Sequence, residues 1–214
     1  MANKIVNPAV PNLPNGPDAY LRQYQDQYSN VLRLYFNQLK NALGELFNTQ
    51  GGKYLSFPYG SFYDTTTQTV VSTTTAYPVT INTSAFTSGV SITSSSRITF
   101  AIPGYYNVQF SVQLANYDNA SQDVDMWFRQ NGTDIAYSNS RFGLPPRKSV
   151  GDPSHLIQTV NLFVDANATD YVELVWCSSN VNTKIEAYVA GTSPTRPAVP
   201  SVIVTAQFVS ALPA

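Results

Sequence analysis

The 214-residue sequence predicts a mainly β protein: a ten-stranded antiparallel jelly roll or sandwich, preceded by an extended arm and one long α-helix. Three observations predict it. Prolines recur every third residue from Pro8 to Pro17, and apolar residues recur every three or four from Leu21 to Leu46. From residue 53 onward, short runs alternate apolar and polar with turn residues between them. Composition agrees. A hydrophobic share of 43% can bury a core, so disorder is excluded. Charged residues make up only 12% of the chain, about half the usual share, and Ser, Thr, Asn and Gln fill roughly a third of it.

Residues 1–17 form the arm. Pro8, Pro11, Pro14 and Pro17 match the three-residue turn of polyproline II, which puts their rings on one edge of an extended segment. Such a segment serves either as a semi-rigid linker or as an anchor laid into a groove of a larger assembly.

Residues 18–47 read as a helix, with Asp18 as N-cap after Pro17 and Gly51-Gly52 as the stop within a helical segment 18–52. Its apolar seam is Leu21, Tyr24, Tyr28, Val31, Tyr35, Leu39, Ala42 and Leu46, spaced as heptads with one additional four-residue step. Leu32, Leu34, Phe36, Leu43 and Phe47 widen the apolar surface. A helix this apolar needs partners: it either folds back on the C-terminal domain or joins a multi-stranded bundle.

Residues 53–214 read as the β domain. The clearest strand runs from Tyr105 to Leu114, where Tyr106, Val108, Phe110, Val112 and Leu114 alternate with polar residues and Tyr105. Val124, Met126 and Phe128 repeat the pattern before Asn131-Gly132, a hairpin signal. Further strands are expected near 59–64, 68–73, 78–82, 89–93, 97–102, 133–138, 156–164, 171–177, 184–189 and 199–209.

Several function classes are excluded by these counts. A net charge of −1 lacks the electrostatic footprint of a nucleic-acid binder. One His and one Cys exclude a zinc finger or a disulfide framework, and Cys177, between Trp176 and Ser178, reads as a buried thiol. No run of 18 apolar residues suggests membrane insertion, and Met1–Val10 forms no apolar leader. His155 is the only imidazole, and no nucleophile elbow or phosphate loop accompanies it. Asp123 and Asp125 share a strand face with Trp127 and Arg129, which reads as a solvated face paired with arginine. The chain is therefore expected to be non-enzymatic, with no cofactor.

Particular stretches resemble a known family. Residues 100–106 (FAIPGYY), ending in the strand that follows, resemble the mid-domain signature of the tumour-necrosis-factor-like jelly roll, also the fold of complement globular heads. Residues 127–132 (WFRQNG) and 171–176 (YVELVW) look like its next hairpin and a late strand. Residues 192–205 are similar to the C-terminal strand of the version found in bacteriophage structural proteins, and 18–24 with 34–39 resemble helical leaders of phage virion proteins. The resemblance implies a homotrimer in the virion. It would be a capsid decoration or a head or tail fibre component, held to capsid or tail-platform proteins by its arm and helix. The alternative is a fibre tip that binds a host receptor or surface glycan. Because some family members hold Ca²⁺ near the apex, the resemblance also implies Asp123 and Asp125 as the start of a calcium site.

Overall fold

A computed structural model describes residues 8–47 and 57–212. The chain divides between Ser56 and Phe57 into an arm-and-helix unit and a β unit. In the first, α1 spans Arg22–Phe47 and so begins later than expected. Asp18 lies in a bend, and the Gln25 N–H donates to the Leu21 carbonyl at 3.2 Å. Leu21 therefore stands at the helix entrance, outside the helical seam, and Asp18 is not the cap. The expected stop at Gly51-Gly52 lies outside the described residues.

The β unit is antiparallel throughout its strand pairs, with sixteen strands described rather than ten. In order these are β1 (Tyr59–Asp64), β2 (Gln68–Thr69), β3 (Tyr77–Pro78), β4 (Thr83–Ser88), β5 (Val90–Thr93) and β6 (Arg97–Phe100). Then come β7 (Gly104–Asn116), β8 (Gln122–Gln130), β9 (Thr133–Asp134), β10 (Ser140–Leu144) and β11 (Ser154–Ala166). The last are β12 (Tyr171–Ser178), β13 (Thr183–Ile185), β14 (Gly191–Thr192), β15 (Thr195–Arg196) and β16 (Val202–Ser210). Five have only two residues: β2, β3 and β9 stand where the longer runs near 68–73, 78–82 and 133–138 were expected, and β14 and β15 where none was. β4 and β10 were not expected: β4 buries no residue and shows no alternation, while β10 alternates over only five residues, with Phe142 and Leu144 inward, and is interrupted by Gly143 before Pro145-Pro146.

The first large sheet runs β2-β13-β7-β16-β1-β4, with β11 along the other edge of β7. The second runs β10-β8-β12-β6-β5, with β3 on β12 and β9 on β8. β14 and β15 pair apart from both. Asn131 and Gly132 turn β8 into β9 with φ of 49° and 83°, the left-handed pair that a tight hairpin of this type requires. The two large sheets share one core. Phe62, Tyr106, Phe110 and Val204 from the first meet Phe100, Met126, Phe128, Leu174 and Trp176 from the second. Each fully buried aromatic there contributes about 2–3 kcal/mol relative to exposure.

Gly104 opens β7 where its neighbours leave no room. A Cβ there would lie 2.3 Å from the Phe208 ring and 2.8 Å from the Ser210 carbonyl oxygen. Because one obstacle is backbone, Gly104→Ala is expected to destabilise the β unit by about 1–3 kcal/mol. The midpoint of urea denaturation, followed by tryptophan fluorescence, checks this; an unchanged midpoint refutes the steric argument.

Candidate functional site

Three groups of side chains are candidates for function. The first is the arm with the helix. Pro8, Pro11 and Pro14 are half-buried while the residues between them are exposed, so the three-residue period is realised as one covered edge. Pro17 is exposed and leaves that edge. The Tyr24 hydroxyl donates to the Pro14 carbonyl at 3.3 Å, so this part of the arm docks on its own helix.

Tyr24, Tyr28, Val31, Tyr35, Leu39, Ala42 and Leu46 are all half-buried, which sets the expected seam, less Leu21, on one helix face. No residue of α1 is fully buried within the single chain. Beside the seam, Phe36, Leu39, Lys40, Leu43, Gly44 and Phe47 line an open groove of about 490 Å³, with Phe36 59% and Phe47 79% exposed. No helix among the described residues is long and apolar enough to cross a membrane.

The second group is the outward face of the second sheet, where charge is concentrated. Arg141 on β10 grips Asp125 on β8 through Nε at 3.0 Å and Nη2 at 3.0 Å, and Asn139 donates to the same carboxylate at 3.1 Å. The guanidinium hydrogen bond, opposed by burial, holds the Asp125 carboxyl below its usual range. Arg129 pairs with Asp134 at 2.8 Å, and Arg97 with the buried Glu173 at 3.5 Å, where the Ser96 hydroxyl donates at 2.6 Å. Asp123 is exposed. The Asp125 oxygens implied for calcium are thus directed at a cation the chain supplies itself. No cluster of three or more His, Cys, Asp or Glu suited to a metal ion occurs among the described residues.

The third group escaped sequence reasoning. After β13 the chain leaves the ladder, and alternation sends Glu186 and Tyr188 to one side. Glu186 accepts from the Tyr117 hydroxyl at 2.7 Å and from the Tyr188 hydroxyl. The Tyr188 oxygen lies 3.2 Å from His155 Nδ1, and Lys184 Nζ sits 4.3 Å above the Tyr117 ring. Burial, then the Glu186 hydrogen bond, pushes Tyr117 up to about 12 and raises Tyr188 as well. Tyr188 also lines a groove of about 500 Å³ with Tyr63, Thr65, Pro197, Val199 and Ile203. The only sequence signal for this cluster was the i, i+2 spacing of Glu186 and Tyr188, since their partners lie far away in the chain.

Two titrations follow. With its folded pKa depressed, Asp125 contributes stability that is present above the unfolded value of about 3.9 and lost as pH falls through the folded value. The stability gap between wild type and Asp125→Asn should therefore be larger at pH 7 than at pH 3 by urea denaturation; equal gaps would show that the ion pair contributes nothing. Tyr117, raised in the folded state, stabilises below its ordinary pKa and loses that contribution as pH rises toward about 12. In an alkaline absorbance titration, Glu186→Gln should lower this tyrosine only partway, because burial is the larger cause.

Compared with known families and with curated proteins, the chain matches no family model and no curated sequence.

Proposed function

We propose that this chain is a non-enzymatic, trimeric structural protein of a bacteriophage virion, with a jelly-roll head in residues 57–212 and an assembly segment in the arm and helix. The observation that carries the reading is the helix. A 26-residue element with a heptad-like apolar seam and no buried side chain gains its stabilisation from partners outside the single chain. Cyclic packing of three copies covers that surface and closes on itself. The phage assignment rests on the resemblance of residues 100–106, 127–132 and 192–205 to the jelly-roll family and of the helix to virion leaders. Three linked copies engage a capsid or tail platform at high effective concentration, so weak contacts from each arm suffice.

Light scattering on the full chain tests this directly. The expected mass is three times that of the 23.5 kDa chain. Leu43→Asp with Phe47→Asp, both exposed positions, should raise the subunit dissociation constant about tenfold or more while leaving the thermal melt of the β unit in place. A monomeric wild-type chain overturns the proposal.

A further inference from the structure

The outward faces of the two large sheets differ in kind. The second sheet sets seven charged residues along its strands, six of them in three ion pairs. Across β7, β11 and β16 the only charged residue is Asp165. Their outward side chains include Asn107, Gln109, Ser111, Thr159, Asn161 and Thr205, tied in one place by an Asn161–Asn107 hydrogen bond of 2.7 Å. Among them stand Ile157 and Phe163, 61% and 62% exposed. Both lie on β11, a thirteen-residue edge strand without proline or lysine to guard it. Two strands away, about 10 Å across the sheet, opens the apolar groove of Tyr63, Tyr188, Pro197 and Ile203.

We infer that this face is where neighbouring copies of the chain pack, with Ile157 and Phe163 of one copy seated in the Tyr63–Tyr188–Pro197–Ile203 groove of the next. The inference deepens the trimeric reading above and rests on it. A second copy is the fitting occupant because one chain carries both the protruding and the concave half of the contact. Such a head-to-tail contact closes into a ring when each copy is turned by a third of a circle from the last, which is what the trimeric reading requires. Amides and hydroxyls both donate and accept, so a neutral face of this kind complements itself, whereas the charged face of the other sheet repels its own copy wherever like charges meet. Two strands of thirteen residues and one of nine present on the order of 550 Å², short of the ~800 Å² each partner gives a standard interface and leaving the remainder to the groove and the helix. Charge depletion in the interface core is also the usual pattern.

Hydroxyl-radical footprinting of the full-length protein tests the contact side chain by side chain. Tyr137, fully exposed in the loop after β9, serves as the reference. In a sample of trimeric mass, Phe163, Ile157 and Ile203 should oxidise several-fold more slowly, relative to Tyr137, than their exposure in a single chain allows. Ile157→Asp with Phe163→Asp should keep the thermal melt yet return Ile203 and Tyr188 to rapid oxidation. A trimer in which Phe163 and Ile203 react at their single-chain rates overturns this inference alone. A monomeric chain overturns both it and the trimeric reading.

Discussion

The β unit hangs on the pairing of β7 along both of its edges. β11 matches it residue for residue from Gly104 to Asn116, while β16 and β13 share the opposite edge. Its inward side chains, Tyr106, Val108, Phe110, Val112 and Leu114, are all at most 1% exposed. A slip of one residue would turn these five outward and bury Asn107, Gln109, Ser111 and Gln113 without partners, at about 1–3 kcal/mol for each unsatisfied group. Register is therefore set by burial. The partners of β7 inherit that register, and so does the position of every side chain on the outer face.

Polar loops at the two ends of the sheets then hold the strand termini. At one end Asp118 accepts from Asn180, Asn182 and the Ala120 N–H, while Asn116 donates to the Ala120 and Pro145 carbonyls. At the other, Asp170 accepts from Asn131 and from the Asn167 side chain and N–H. These amide and carboxylate bonds explain why a chain so low in charge needs so much asparagine: short polar side chains satisfy turn backbone groups that no ladder reaches. The remaining neutral polar residues form the outward half of the alternation. Composition and topology are thus one fact seen twice, and what distinguishes the two sheets is where the few charges were spared for cross-strand pairs.

β7 and β8 were legible because their apolar positions alternate, and β12 because it is a short apolar run, buried at five consecutive residues. β1 and β12 occur where expected, and Asn131-Gly132 makes the expected turn. Val70, Val79 and Ile81 are buried too, yet they sit beside or beyond two-residue strands, where loop backbone rather than a ladder carries them into the core. The helix was legible in its periodicity but not in its start, since Asp18 offers a capping oxygen that the bend after Pro17 carries away from the first turn. Asp125 was legible as one member of a face; its arginine, sixteen residues on in an unrecognised strand, was not. The Glu186 cluster was the least legible. It joins Tyr117, His155 and Tyr188 across the sheet, and only the register of β7, β11 and β13 brings them together.

The apolar surface of the helix changes face along its length. The seam steps by four twice in succession, from Val31 to Tyr35 to Leu39, and such an added step shifts the phase of an apolar stripe around the helix. Pro14 is held at Tyr24, on the N-terminal side of that step. Phe36, Leu43 and Phe47, the open apolar side chains, lie at or beyond it and drift toward the adjacent flank. A bundle of copies built on the C-terminal half would therefore meet a face the arm does not use at Tyr24. Among the described residues the arm is tied to the helix by the Tyr24–Pro14 hydrogen bond, about 1 kcal/mol. In the trimeric reading proposed above, a contact this weak would let the arm leave the helix for a better groove without disturbing packing on the other face.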